Sequence, residues 1–318
     1  MKNKILFIFL FFFLFFLSSC NPLKIQKCSP IFCMDTTIDI TFYNTDDYQI
    51  HYKAIKEIYY KYDEVSSDYD SNLKSVKDLN DNRYLENADN ELIELIKKAI
   101  SLMDDAGGYY NPFIGRLSHL WKEAIKNNRV LDNDIILEEL AIMNSTSVEF
   151  HNNTIKLIGD GNLDLGGIAK GYATQKAYEY LKENNVTGYL INAGNSNVLL
   201  GDKHGDNFKV GLAKPYTNGT IIIYEGMNKA IGSSSGKYQN VVIDNIRYHH
   251  LLNPFTGYPS NIYDNVNILC NDSMMADVYS TAIFSMDLEA AKEFAKNKNI
   301  DIILFKDDSI LYQSEGWV

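Results

Sequence analysis

The chain has 318 residues, 46% of them hydrophobic, and its 30 basic and 41 acidic side chains leave a formal net charge of -11. That length suits one large domain or two intimate lobes around a sizeable core, and an acidic chain without a basic stripe argues against a nucleic-acid partner. The four cysteines, Cys20, Cys28, Cys33 and Cys270, do not have the paired spacing of a zinc site.

Lys2 and Lys4 precede an unbroken apolar run from Ile5 to Leu17, followed by Ser18, Ser19 and Cys20. This is the pattern of a secretory leader, and the run is too short to span a bilayer. Its Leu-Ser-Ser-Cys end resembles a bacterial lipobox. That resemblance implies removal of residues 1–19, lipidation of Cys20, and a mature protein anchored at the outer, periplasmic side of the cytoplasmic membrane. Without Lys2 and Lys4 the net charge is near -13. Residues 20–33 read as the lipidated cysteine and a tether, in which a Cys28–Cys33 disulfide is open to an exported protein. Residues 34–318 read as the functional domain.

Within that domain Met34 to Tyr43 alternates as a strand, with Ile38, Ile40 and Phe42 on one face. Tyr48 to Val65 has helical spacing, as does Asn90 to Met103, whose stripe is Leu92, Ile93, Leu95, Ile96, Ala99 and Ile100. Gly107 and Gly108 open a turn, and the following YYNPFIGRLSHLW leads into a helix ending near Asn128. Residues 148–158 read as a hairpin about Asn152 and Asn153. The helical period from Ile168 through Tyr172, Ala173, Ala177, Tyr180 and Leu181 gives a helix, the segment GYLINAG a strand, and further strands run to about Asn245.

Three islands carry chemistry. The first is LDLGGIAKGY, Leu163 to Tyr172, where Gly166 and Gly167 let a backbone approach a ligand, and Lys170 adds positive charge at a helix N-terminus suited to anions. The second is RYHHLLNPFTGYP, Arg247 to Pro259, which presents His249 and His250 beside an irregular loop where an imidazole can move protons. In the third, MMADVYSTAIFSM, Asp277 and Thr281 lie one helical turn apart as hard oxygen ligands suited to Mg²⁺. Each island also has a structural reading: a tight turn with a solvated lysine, a strand-end histidine pair with one ring packed and one solvated, and an aspartate bonded to a threonine hydroxyl. Together they describe a site that cleaves or transfers a phosphorylated ligand.

The order and content of these islands resemble the FAD:protein FMN transferase, or ApbE, family over nearly all of the mature chain. The matching segments are MDTTIDI, SSDYDSNL, NPFIGRLSHLW, DLGGIAKGYA, LINAGN, IGSSSGKY, HHLLNPFTGYP and ADVYSTA. The resemblance implies an α+β fold, with mixed sheets and flanking helices in two closely joined lobes and the flavin between them. It also implies an enzyme that takes FAD as substrate, uses Mg²⁺, and attaches FMN through a phosphoester to a threonine or serine of a target flavoprotein, expected to be a membrane-associated redox protein. By the same resemblance Met34, Tyr69, Tyr109, Tyr110, Asn111, Asp164, Lys170 and the Leu252 backbone contact FAD. The Gly167 carbonyl, Asp277 and Thr281 hold the metal, and His250 and Asp277 act in catalysis.

The chain departs from the family pattern at Asp35 for a usual glycine, Asn111 and Asn253 for usual aspartates, Phe113 for threonine, Arg116 for proline and Asn195 for a second glycine. Asparagine tolerates positive φ, so the Asn195 turn can survive. Three other readings stay open at this point: a hydrolase giving FMN and AMP from FAD, a non-catalytic flavin-binding lipoprotein prompted by the two asparagines, and a solute-binding lipoprotein.

Overall fold

The computed structural model describes residues 23–69 and 71–317; the leader and Cys20 lie outside the described residues. Among the described residues eight α-helices follow in chain order: α1 Tyr48–Ser66, α2 Val76–Asn82, α3 Asn90–Asp105, α4 Gly115–Lys126, α5 Asn133–Ser145, α6 Ala169–Glu183, α7 Ser273–Ile283 and α8 Leu288–Lys298. Sixteen strands accompany them: β1 Ile25–Lys27, β2 Ile31–Cys33, β3 Thr36–Tyr43, β4 Tyr84–Leu85, β5 Ser147–His151, β6 Thr154–Ile158, β7 Tyr189–Ala193, β8 Asn197–Leu200, β9 Phe208–Ala213, β10 Thr220–Gly226, β11 Lys229–Ser235, β12 Asn240–Ile243, β13 Ile246–His249, β14 Asn265–Cys270, β15 Asp301–Lys306 and β16 Ser309–Gln313. The fold is α+β, as the family resemblance implies.

A nine-stranded sheet runs in the order β1-β3-β7-β8-β11-β14-β15-β16, with β2 also paired to β3; every ladder in it is antiparallel. Its central strands are apolar on both faces because both are covered. Along β15, Ile302 and Leu304 enter the main core with the helices, while Ile303 and Phe305 enter a second core with Phe208, Leu212, Tyr224 and Trp317 beneath the β9–β10 ribbon. Smaller sheets, β4-β6-β5 and the pair β12-β13, complete the fold.

The stretch expected to be a tether is part of this sheet from Ile25 onward: β1 pairs with the far half of β3, and β2 with its near half. Hydrophobic periodicity missed strands of only three residues. Met34 itself is not in a strand. It and Asp35 have φ of 52° and 54° and form the two-residue turn joining β2 to β3. Two successive positive φ values match the twist of a tight hairpin, which explains a small or polar residue at position 35. The register also removes the Cys28–Cys33 disulfide. Cys28 donates its N–H to Ile40 O while Cys33 lies opposite Thr36, so the two sit four residues apart along β3, about 13 Å at strand rise. A disulfide needs Cα atoms within about 7 Å; both thiols are free, and burial raises their pKa values to about 11 and about 12.

The remaining elements follow their patterns. Ile38, Ile40 and Phe42 are buried along β3, α3 buries Leu92, Ile93, Leu95, Ile96 and Ala99 of its predicted stripe with Ile100 only partly buried, and the hairpin about Asn152 is β5–β6. Gly194 and Asn195, with φ of 65° and 58°, turn β7 into β8, so asparagine serves where the family has glycine. Among the described residues no helix is long and apolar enough to cross a membrane.

Candidate active site

The site is assembled around α7, which lies between α6 and the sheet. Both contacts are backbone-close. A Cβ on Gly171 of α6 would stand 2.5 Å from Ser273 O and 2.5 Å from Asp277 Cβ, and one on Gly232 of β11 would stand 2.2 Å from Ala276 O. Only glycine permits such approaches. They bring the Asp277 carboxylate to the first turn of α6, where its Oδ2 accepts the Gly171 N–H at 2.8 Å. Among the described residues its Oδ1 has no hydrogen-bond partner. Burial raises the Asp277 pKa, opposed by the positive charge of Lys170 and by the Gly171 N–H.

Thr281 sits one turn further along α7, its hydroxyl donating to Asp277 O at 3.2 Å. The threonine hydroxyl thus bonds the aspartate through its backbone carbonyl and not through its carboxylate. Gly167 is adjacent: a Cβ there would meet Thr281 Oγ1 at 3.5 Å and Tyr110 Cε2 at 3.1 Å. Tyr110 is buried with no hydrogen-bond partner for its hydroxyl among the described residues, and burial followed by the charges of Asp164 and Asp277 keeps that hydroxyl protonated. Asp164 Oδ1 accepts the Gly166 N–H at 2.8 Å, which shapes the double-glycine turn.

These groups open into one cavity of about 1330 Å³. Met34, Tyr69, Tyr109, Tyr110, Asn111, Asp164, Gly167, Lys170, His250, Leu252, Asp277 and Thr281 all line it, so the residues that the family resemblance implies border the same space. The two histidines divide as one packed ring and one cavity ring. His249 is buried, its Nδ1 accepting the Leu251 N–H at 3.1 Å and its Nε2 donating to Ser260 O at 2.9 Å, and burial lowers its pKa to about 4. His250 lines the cavity with an unpartnered buried Nδ1. Burial lowers its pKa, and the nearby charges of Lys170 and Lys122 act in the same direction. The loop that carries it is clamped at its far end, where Trp121 Nε1 donates to Gly257 O at 2.8 Å.

The two asparagines in place of aspartates have local roles. Asn111 Oδ1 accepts the Phe113 N–H at 2.9 Å, and Asn253 Oδ1 accepts the Phe255 N–H at 2.8 Å. An amide oxygen serves such turns as well as a carboxylate does. Asn253 does not line the cavity. Arg116, in place of proline, forms a paired bond with buried Glu139 at 2.7 Å and 2.7 Å, away from the site.

Sequence reading passed over several cavity residues. Lys122, one turn after Ser118 on the same face of α4, lines the cavity, as does Asp68. Asp68 lies within a quoted segment, and the i, i+4 pair of Ser118 and Lys122 was the available signal for the lysine. Ser234 also lines it, 2.8 Å from Ser280 Oγ and 3.5 Å from Thr281 Oγ1.

The ApbE family model matches residues 34–304. The chain belongs to the ApbE family. Among relatives of this ApbE chain, a FAD:protein FMN transferase of Klebsiella pneumoniae (strain 342) is 30% identical over 232 residues, covering 70% of this chain and 71% of the relative. Another, from Treponema pallidum (strain Nichols), is 27% identical over 251 residues, covering 72% and 69%. The ApbE protein of Thermotoga maritima MSB8 superposes with a TM-score of 0.81 at 27% identity, covering 92% of this chain and 97% of that structure. The flavin transferase ApbE of Vibrio cholerae shares the fold, with a TM-score of 0.75 at 22% identity over 93% of this chain and 99% of that structure.

Proposed function

We propose that this chain is a flavin transferase that cleaves FAD and attaches FMN by a phosphoester bond to a threonine or serine of a target flavoprotein, releasing AMP. The observation that supports this most is the meeting, in one cavity, of the double-glycine turn with Lys170, the oxygen set of Asp277 and Thr281, and the ring of His250.

Mg²⁺ fits the groups present. Among the described residues no three His, Cys, Asp or Glu side chains cluster to hold a metal, but an unpaired Asp277 Oδ1, the Thr281 hydroxyl and the Gly167 carbonyl are the hard oxygen donors that Mg²⁺ takes alongside substrate phosphate. When bound, the ion would neutralise the pyrophosphate and the charge that develops on departing AMP. Lys170 adds a fixed positive charge on the same groups. Met34, Tyr69, Tyr109 and Tyr110 supply the apolar and aromatic surface that holds the flavin ring, with Asn111, Asp164 and the Leu252 backbone as polar contacts.

In the transfer the acceptor hydroxyl oxygen forms a bond to the FMN phosphorus as the bond from that phosphorus to the AMP oxygen breaks, and the hydroxyl proton passes to His250. A ring kept neutral by burial is in the form that can take it. The local turn bonds of Asn111 and Asn253 favour the catalytic reading over the non-catalytic one, since neither side chain belongs to the proposed metal set. Export and lipidation at Cys20, proposed from the lipobox, would put the enzyme beside membrane redox flavoproteins.

Incubation with FAD, Mg²⁺ and a candidate membrane flavoprotein tests the reading: AMP should appear in step with acceptor added. Release of FMN and AMP at the same rate without acceptor would instead establish a hydrolase.

A further inference from the structure

We infer that His119, which lies outside the cavity lining, is a positioning residue for FAD, acting through Asp68 to hold Tyr69 at the cavity mouth. The inference rests on the flavin-transferase reading. The described residues that follow α1 form no helix or strand before α2, yet their side chains are tied down on two sides. On one side Glu64 accepts from Ser71 Oγ at 2.6 Å and from the Asn72 N–H at 2.7 Å. On the other, Asp68 Oδ2 meets His119 Nε2 at 2.5 Å and Lys122 Nζ at 3.8 Å, both on α4. Burial alone would raise the Asp68 pKa; the hydrogen bond from His119 and the charge of Lys122 hold it below the usual value, and the same hydrogen bond raises that of His119. Asp68 is therefore a half-buried carboxylate anchor with two partners, an imidazole and an ammonium, on one helix.

Tyr69 is the next residue. Its N–H bonds to Ser67 Oγ at 3.1 Å, its ring centre lies 6.0 Å from Lys122 Nζ, and the residue is 57% exposed while lining the cavity. A ring so exposed depends on its own backbone for its position, and on the α4 side that backbone is held by the His119–Asp68 pair. An aromatic ring held beforehand at a cavity mouth binds a flat heteroaromatic ligand without the ordering cost a free ring would bear.

The test is FAD binding followed by flavin fluorescence, in a double-mutant cycle of His119→Ala and Tyr69→Ala. His119→Ala should weaken FAD binding by about three- to tenfold, the span of one side chain's ordering cost, and leave bound flavin brighter because the tyrosine ring quenches it less. In the Tyr69→Ala background the same change should cost less than about twofold. His119→Gln, which keeps an N–H for Asp68, should restore most of the affinity and serves if the alanine variant fails to fold. Equal losses in both backgrounds, or no recovery with glutamine, would overturn the inference. Absence of FAD binding by the unaltered protein would instead remove the flavin-transferase reading beneath it.

Discussion

Gly171→Ala sets two effects of similar size against each other. Alanine in a helix interior is favoured over glycine by about 1 kcal/mol, so on propensity alone α6 is strengthened. The added Cβ would stand 2.5 Å from Ser273 O, 2.5 Å from Asp277 Cβ and 3.0 Å from Met274 Cα, where carbon atoms prefer roughly 3.5–4.0 Å. Two of those three neighbours are backbone of α7 and cannot rotate away, so the helix itself must move by about 1 Å. Overpacking of that kind costs about 1–3 kcal/mol. The net change in stability is a loss of about 0–2 kcal/mol, which for a chain of this size lowers Tm by no more than roughly 8 °C. The effect on chemistry is larger, because the displaced segment carries Asp277 and Thr281, and a 1 Å misplacement costs on the order of 100-fold in rate. Thermal unfolding and FMN transfer measured on the same preparation should therefore diverge, with near-normal melting and transfer reduced about 100-fold. A variant that melts higher by the full propensity gain and transfers FMN within about threefold of wild type would refute the argument that α7 is positioned by contact with Gly171.

Other predictions follow from individual groups. His250→Ala should lower transfer by about 100- to 10,000-fold with FAD affinity nearly unchanged, and the wild-type rate should fall only below the ordinary imidazole range because burial lowers the His250 pKa; a rate already falling between pH 8 and 7 contradicts this. His249 gives a stability effect: its unfolded ring takes a proton near 6.5 and the folded one only near about 4, so stability is full above 6.5 and declines as pH falls toward 4. Denaturant unfolding should show a loss of about 2 kcal/mol from this group between pH 7 and pH 5, reduced in His249→Gln, and equal pH profiles for the two proteins would exclude it. Alkylation of the denatured, unreduced protein should label Cys28, Cys33 and Cys270 alike, whereas a pair protected until reduction would contradict the β1–β2 register.

Much of the site was legible because its parts are local. Gly166-Gly167 before a helical period, and Asp277 with Thr281 at helical spacing, need only chain geometry to be recognised. Alternation along β13 makes one ring packed and one free without saying which, so only the family resemblance named His250; the Ser260 carbonyl that captures His249 lies 11 residues on. The β1 and β2 strands were missed because three residues give no period, and Met34 was misplaced because two positive φ values at a hairpin turn leave no hydrophobic signal. Lys122 and His119 escaped because their partners, Asp68 and Tyr69, lie on a segment about fifty residues earlier that only folding brings to α4.

The central claim is that Asp277 and Thr281 on α7 share one Mg²⁺-dependent FAD site with Gly167 and Lys170 more than a hundred residues earlier. Intact mass of an acceptor flavoprotein after incubation with FAD and Mg²⁺ tests it most directly. The expected result is a gain of one FMN less one water with the wild-type enzyme, lost on chelation and absent with Asp277→Ala even though that variant is folded. The same gain with Asp277→Ala, or without a divalent cation, would contradict it.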